Sequence, residues 1–220
     1  MFIGHLGVGL AAKKVAPEIN LGVLFIFCQL LDLIWPVLVL MNIEKVSVNH
    51  AATVVTPLNF SHYPFSHSLT ASLSYSLIAG LITWRSFRSV RVGFAALSVV
   101  LSHWILDFMA HRPDLPLFFG DEKFGLGLWN SLWGTFFVEV GIFILGIVFY
   151  LKSSPLQNRK RKIIFWSMIS LLSIIYLGNI FGPKPPIDTP AAFIAGPALA
   201  MWLIVFWGYC ADRKVNNTNK

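Results

Sequence analysis

Four of the six histidines in this 220-residue chain fall between positions 62 and 111, in or beside apolar segments. They are His62, His67, His103 and His111. Three carboxylates, Asp32, Asp107 and Glu139, interrupt apolar segments as well. Ionisable side chains in a bilayer are costly unless they pair, bind a ligand or line a wet cavity, so they mark a functional site by default. Imidazole and carboxylate together suit a divalent metal ion.

The side chains of His103, Asp107 and His111 are spaced at i, i+4 and i+8. Each step of four residues in a helix rotates by only about 40°, so the three would share one face. One helix can present two such ligands to a single metal ion. His103 and Asp107 taken alone have an equally good explanation, a buried hydrogen bond between them. The additional histidines and carboxylates favour a metal or proton site.

The composition indicates the class of protein. Apolar residues make up 56% of the chain and charged residues 12%, whereas soluble domains carry about 25% charged residues. A water-soluble fold could not bury this much apolar surface, so we expect an integral membrane protein. The net charge of +7 would suit nucleic acid, but the basic residues form short clusters between apolar runs, as in cytoplasmic loops. We therefore expect membrane lipids as partners and no nucleic acid.

Hydropathy predicts an all-α, polytopic helix bundle that forms one integral membrane domain over residues 1–220. Six spans are predicted, at residues 21–41, 66–84, 90–110, 132–151, 163–182 and 191–210. Pro36 and Pro197 lie inside the first and the sixth span, where we expect kinks. Residues 2–16 contain a further short helix, too short to span, which is predicted to be interfacial or half-inserted.

The basic residues predict the orientation of this bundle. Thirteen of the 17 Lys and Arg residues, Lys214 and Lys220 among them, would lie on the same side of the membrane. By the positive-inside rule, both termini then face the cytoplasm. We expect a multi-pass protein of the cytoplasmic membrane with its histidine-rich segments near the outer face.

The ionisable residues of the apolar segments would meet in the outer half of the bundle. His62 and His67 lie at the mouth of the second span, whose helix is expected to start at Ser66. Glu139 lies about two turns into the fourth span, and Asp32 lies near the middle of the first. The candidate metal ligands are His5, His62, His67, His103, Asp107 and His111. The candidate catalytic residues are Asp32 and Glu139, as a general base or as groups that orient a histidine.

Other polar residues have simpler explanations. His5 would meet Asp32 if its helix were half-inserted, and otherwise it is an interfacial histidine. His50 is expected to be a solvated surface residue. Ordinary interfacial charges are expected at Glu18, Glu44, Asp188 and Asp212.

The order of several short motifs resembles a known family. The motifs are Gly4-His5, Leu30-Leu31-Asp32 followed by Pro36, His62-x-x-x-x-His67-Ser68 and Ser102-His103-x-x-x-Asp107. This order resembles the bacterial membrane-bound, metal-dependent hydrolases, some of which are induced with the DNA-damage response. The resemblance covers about residues 1–140 and leaves the spans within 163–210 without matching motifs.

The chain departs from this family in two places. The family has a His-Arg-Gly-x-Thr-His-Ser motif, where this chain has Tyr63-Pro64-Phe65-Ser66 between the two histidines. The missing arginine would be the obvious clamp for a phosphate, and Arg112 is the candidate substitute. A single Asp32 stands where the family often has more than one acid.

Three functions fit these residues. The resemblance implies a hydrolase in which a divalent ion (Zn, Mn or Fe) activates water for attack on a phosphoester or related bond of a small-molecule or lipid-linked substrate. The alternative is a transporter or permease that uses the same buried residues as a proton or cation relay. A third possibility is a partner-binding membrane protein whose polar cluster fixes helix packing, although such contacts are worth only about 0.6 kcal/mol each.

Overall fold

The computed structural model describes residues 1–118, 120 and 122–213. Lys214 and Lys220, which are included in the predicted cytoplasmic charge, lie outside the described residues. The helices are α1 (Ile3–Ala11), α2 (Leu21–Cys28), α3 (Leu30–Leu40), α4 (Pro64–His67), α5 (Leu69–Phe87), α6 (Val90–Ala110), α7 (Leu132–Ser153), α8 (Arg159–Phe181), α9 (Ala191–Ala198) and α10 (Met201–Asp212). The strands form two antiparallel pairs, β1 (Lys45–Val48) with β2 (Leu58–His62), and β3 (Leu115–Pro116) with β4 (Lys123–Phe124).

Within the described ranges, four helices are long and apolar enough to cross a membrane. They are α6, α7, α8 and the combined segment Ala191–Asp212. A fifth candidate is the pair α2 and α3, which is bent by 59° at Gln29. The mainly helical membrane class is thus confirmed. At the place of the second predicted span, α5 is a 19-residue helix, but its hydroxyl side chains and Arg85 make it more polar, and it is not among the candidates.

The helix starts follow local capping chemistry. Side-chain oxygens accept a hydrogen bond from the backbone N–H two or three residues later, at the first turn of each of five helices. The capping residues are Asn20, Ser68, Ser89, Ser131 and Asn158. Because Ser68 caps α5, the helix predicted to start at Ser66 is divided into a single turn, α4, and the long helix α5.

The helix bends do not all lie at the two prolines where kinks were predicted. A bend of 59° lies at Gln29, while α3 continues through Pro36. The sixth predicted span is interrupted after Ala198, one residue beyond Pro197. The break at Gln29 leaves carbonyl groups at the end of α2 free to accept bonds from other helices.

The short helix α1 is enclosed by the bundle instead of lying at its surface, and most of its residues are buried. It packs closely against α7 through two glycines, Gly7 and Gly146. A Cβ atom at Gly7 would lie 2.7 Å from the carbonyl oxygen of Ile142. Glycines therefore allow the two backbones to approach each other, as in membrane helix pairs with small residues.

A buried ion network closes one end of the bundle. Oδ2 of Asp212, at the end of α10, accepts hydrogen bonds from Lys13 Nζ at 2.7 Å and from the backbone N–H of Leu21 at 3.0 Å. Its Oδ1 accepts from Tyr150 at 3.0 Å and lies 3.5 Å from Nη2 of Arg161. Asp212 was expected to be an interfacial charge, but it is buried because these groups converge on it.

Candidate metal centre

The opposite end of the bundle brings four of the candidate residues to one point. Asp32 comes from the first turn of α3, directly after the break at Gln29. His67 ends the single turn of α4, and His103 and Asp107 lie on the buried face of α6. The imidazoles of His67 and His103 are buried with ring centroids 5.5 Å apart.

The distances among these four side chains are short. Nε2 of His103 lies 3.1 Å from Oδ2 of Asp107 and 3.8 Å from Oδ2 of Asp32. Nε2 of His67 lies 3.4 Å from Oδ1 of Asp32 and 3.8 Å from Oδ2 of Asp107. Two imidazole nitrogens and two carboxylates therefore surround one small volume.

This geometry fits a metal ion. Two ligands of a tetrahedral ion with bonds of about 2.0–2.1 Å lie about 3.4 Å apart, close to the four separations observed. Nε2 of His103 is buried and has no hydrogen-bond partner among the described residues, although Asp107 is near. A separation of 3.1 Å between these atoms fits both an ion pair of Asp107 with a protonated His103 and two ligands of one metal ion. The residues Asp32, His67 and His103 could hold a metal ion together, as could His5, His103 and Asp107.

Both histidines are oriented through their second ring nitrogen. Nδ1 of His103 lies 2.8 Å from the carbonyl oxygen of Cys28, which can only accept, so this nitrogen carries the proton. Nδ1 of His67 lies 2.7 Å from Oγ of Ser66, which itself donates to Oε2 of Glu44 at 2.6 Å. With Nδ1 protonated, Nε2 of each neutral ring keeps its lone pair for a ligand.

Glu44 and Ser66 are functional candidates that the sequence analysis missed. Glu44 was expected to be an interfacial charge, but it is 1% exposed and also accepts the backbone N–H of Ser66 at 2.8 Å. The two residues are 22 positions apart, so no local spacing could have indicated the pair. The position of Ser66 beside His67 was the only available signal.

His5 lies on the other side of Asp107. Its Nε2 donates to Oδ1 of Asp107 at 3.1 Å, and the α-amino group of Met1 lies 2.5 Å from the same oxygen. The ring of His5 stacks on that of His103 at a centroid distance of 3.8 Å, with 5° between the planes. His5 therefore supports Asp107 and His103 in this arrangement, and its Nδ1 has no hydrogen-bond partner in the described part of the chain.

Glu139 lies beside the cluster but holds α1 in place. Its Oε2 accepts the backbone N–H groups of Phe2 at 2.8 Å and Gly4 at 3.2 Å. These are unpaired donors of the first turn, and a carboxylate there also interacts favourably with the helix dipole. The same side chain lines the cavity described below.

Two other predicted ligands lie outside the cluster. His62 is exposed at the end of β2. His111 is the C-cap of α6 with an extended backbone, so it leaves the helical face shared by His103 and Asp107. Pro113 disfavours helical backbone at the residue before it, so the sequence itself indicates that α6 ends near His111.

His111 instead belongs to a second polar group. Its Nδ1 lies 2.9 Å from Oδ1 of Asp114, which also accepts from the hydroxyl of Tyr63 at 3.2 Å. Burial raises the pKa of Asp114, but the bonds from His111 and Arg112 outweigh it and lower the pKa below its ordinary value. Burial, followed by the charge of Asp114, raises the pKa of Tyr63 well above its usual range.

Arg112, the candidate phosphate clamp, is engaged within the protein. Its Nε donates to Oδ2 of Asp114 at 3.1 Å, and its Nη2 donates to Oδ1 of Asn59 at 2.5 Å. Its Nη1 donates to the carbonyl oxygen of Ala52 at 3.4 Å. The guanidinium therefore ties the β1–β2 connection to the end of α6.

A partly open cavity of about 530 Å³ leads to the cluster. Asp32, His67, Asp107 and Glu139 line its polar part. Trp35, Phe60 and Trp129 line it as well, together with apolar residues of α8, α9 and α10. A substrate-sized molecule would fit this volume, since small-molecule sites usually measure about 300–1,000 Å³.

No protein-family model, curated protein or solved structure matches this chain. The resemblance described above therefore rests on the order of the short motifs alone. The geometry of the His and Asp side chains is the main support for any function.

Proposed function

We propose that this protein is a metal-dependent hydrolase of the cytoplasmic membrane that attacks a phosphoester or a related bond. The convergence of His67 Nε2, His103 Nε2 and the carboxylates of Asp32 and Asp107 carries this proposal. The order of the short motifs, which resembles that of the membrane-bound, metal-dependent hydrolases, supports the same activity.

Each residue then has a defined task. His67, His103 and Asp107 would hold the ion, since these three are buried and oriented by other groups. A divalent cation at this position supplies Lewis acidity, which makes water a better nucleophile and polarises the phosphoryl oxygen. Asp32 would complete the ligand set. Its side chain is 33% exposed, so it is the more accessible of the two carboxylates in the cluster and the better placed to accept a proton from water.

The donor set favours particular ions. Two imidazoles and two carboxylates suit Zn, Mn or Fe, whereas Ca and Mg prefer sites made of oxygen ligands. The protonated Nδ1 atoms of His67 and His103 match the arrangement in which an outer group fixes a metal-ligating histidine.

We also propose six membrane crossings with both termini in the cytoplasm. The crossing that would bring the five candidate spans to six is α5, which packs along α6 and is 19 residues long. The network around Asp212 joins Lys13 and Arg161, two residues assigned to the cytoplasmic side, at one end of the bundle. The His and Asp cluster would then face the outer half of the membrane.

Elemental analysis of protein purified in mild detergent without chelators tests the proposal. We expect near-stoichiometric Zn, Mn or Fe, together with release of phosphate from p-nitrophenyl phosphate or phosphatidic acid. His67→Ala and His103→Ala should lose both the metal and the hydrolysis, while His62→Ala, at an exposed position, should keep both. Retention of bound metal in both cluster variants would refute the assignment.

A second candidate function is proton or cation transport, and the break at Gln29 favours it. Broken membrane helices beside ionisable residues often form ion sites in transporters. Here the break precedes Asp32 by three residues, and neither polar atom of the buried Gln29 side chain has a hydrogen-bond partner within the described residues. Proton flux in proteoliposomes that Asp32→Asn abolishes, without any phosphate release, would decide for transport.

A further inference from the structure

The cavity has a polar end and an apolar limb. The His and Asp cluster lies at the polar end. The apolar limb is the part of the lining on three helices that contains Ile175, Ile180, Ile194, Met201 and Ile204, with Asn179 of α8 as a polar member. A site with this division matches a molecule that is itself divided into a polar head and an apolar part.

The apolar limb belongs to the part of the bundle that would contact lipid. Its residues lie on α8 and on the segment Ala191–Asp212, both of which are candidate membrane spans. α9 packs mainly against α3, whereas α8 packs against α10, so the limb lies between helices that have different main packing partners. Ile175 lines the limb and is 36% exposed, so this side chain is accessible to a ligand in the cavity.

Two loops contribute to the lining of the cavity. The segments 55–58 and 183–185 line it, and His50 Nε2 lies 2.8 Å from the carbonyl oxygen of Pro185. The backbone N–H of Val55 donates to the carbonyl oxygen of Trp129 at 3.0 Å. Lys184, which is exposed, places a cation among the lining residues of these loops.

We infer that the substrate is an anionic amphiphile, with a phosphate head at the His and Asp cluster and a hydrocarbon chain in the apolar limb. This inference rests on the proposed hydrolase function and names its class of substrate. Water would attack phosphorus at the cluster, the bond from phosphorus to the lipid oxygen would break, and that oxygen would take up a proton. The products are inorganic phosphate and the corresponding alcohol, which keeps its chain in the limb.

A chain in the limb should govern selectivity. For a short-chain substrate that enters from water, each buried methylene strengthens binding by about fourfold, so several carbons in the limb add measurably to the contacts of the head. Glycerol 3-phosphate and dioctanoyl phosphatidic acid share the phosphate head and differ in the chains. Their ratio of kcat/KM therefore reports the contribution of the limb.

Two neighbouring isoleucines provide a matched test. Ile175 lines the limb, whereas Ile174 is 65% exposed and does not line it. In Ile175→Trp, the preference for dioctanoyl phosphatidic acid over glycerol 3-phosphate should fall at least tenfold because the indole occupies the chain position. Ile174→Trp should keep the wild-type preference. Ile194→Trp, on α9, is a second obstruction, so that an effect caused only by a disturbance of α8 can be recognised.

Binding is measured separately from turnover. Native mass spectrometry of protein released from micelles reports retention of a non-hydrolysable phosphonate analogue of phosphatidic acid. The amphiphile site is supported if Ile175→Trp and Ile194→Trp both reduce retention of the analogue and Ile174→Trp does not. If this pattern is observed but no protein releases phosphate, only the hydrolase proposal is refuted. Phosphate release with the same substrate preference in all three variants, or no retention of the analogue by the wild-type protein, overturns the inference.

Discussion

Nδ1 of His103 lies 2.8 Å from the carbonyl oxygen of Cys28, the last residue of α2. In a continuous helix this carbonyl would accept the N–H of Asp32. The break at Gln29 frees it, so the imidazole of His103 can donate to it and keep Nε2 available. The same break turns α3, so that the carboxylate of Asp32 approaches this nitrogen.

Removal of the metal should destabilise the protein. The candidate ligands join α3, α4 and α6, so a bound ion links three helices that are far apart in the sequence. Binding at 100 to 1,000 times the dissociation constant stabilises the folded state by about 3–4 kcal/mol. A chelator should therefore lower the melting temperature in detergent, and added Zn or Mn should restore it. His103→Ala should melt at one temperature with and without chelator, whereas His50→Ala should retain the full shift.

The pair Glu44 and Ser66 should tune metal affinity through His67. Removing the partner of a metal-ligating histidine typically weakens metal binding by about 10- to 100-fold. We expect Ser66→Ala and Glu44→Gln each to weaken binding by that order, as measured by competition with a chromogenic chelator. The effects should not add in the double variant, because both residues act through Nδ1 of His67.

Glu18→Gln is the matched control for this relay, since Glu18 is exposed and pairs with Arg91. Its metal affinity should equal that of the wild-type protein. Additive losses in the Glu44 and Ser66 double variant would instead indicate two independent structural effects.

Most of the membrane helices could be predicted from the sequence. Hydropathy located all five described segments that are long and apolar enough to cross a membrane, if the bent pair α2 and α3 is counted as one. The bend at Gln29 was not predictable, because residues 21–40 form an almost uninterrupted apolar run in which Pro36 is the obvious kink. A carbonyl of this run is satisfied by His103, which is 75 residues away.

The candidate site was predictable to the extent that residue type decides it. Apolar surroundings, the i, i+4 spacing and the motif order placed Asp32, His67, His103 and Asp107 among the candidates, because a buried ionisable group needs a partner wherever it lies. Whether His62 and His111 join them depends on where β2 and α6 end, and the boundaries of such elements are the least predictable feature of a sequence. The role of Glu44 depends on a contact across 22 residues.

The close packing of α1 on α7 should be sensitive to a single methyl group. In Gly7→Ala the new Cβ would lie 2.7 Å from the carbonyl oxygen of Ile142, which belongs to a helical backbone and cannot move easily. Overpacking of this kind costs about 1–3 kcal/mol. The helices should separate and displace both His5 and Glu139, so that metal affinity falls together with the melting temperature.

Gly141→Ala provides the control on α7, because a Cβ at Gly141 meets no described atom within 4 Å apart from its chain neighbours and the adjacent backbone of its own helix. This variant should be as stable as the wild-type protein or slightly more stable, since alanine is the better helix former. Equal melting temperatures for Gly7→Ala and Gly141→Ala would show that α1 does not pack on α7 in the membrane.

The network around Asp212 should stabilise the bundle without contributing to the metal centre. Asp212→Asn removes the negative charge shared by Lys13 and Arg161, which are both buried. Breaking a buried ion pair from one side typically costs about 3–5 kcal/mol, because the remaining charges lose their partner. We expect a strongly lowered melting temperature in detergent, but unchanged metal stoichiometry in the protein that remains folded at low temperature. Asp188→Asn, at an exposed position, should change neither quantity. Loss of metal from folded Asp212→Asn protein would mean that the two ends of the bundle are energetically coupled.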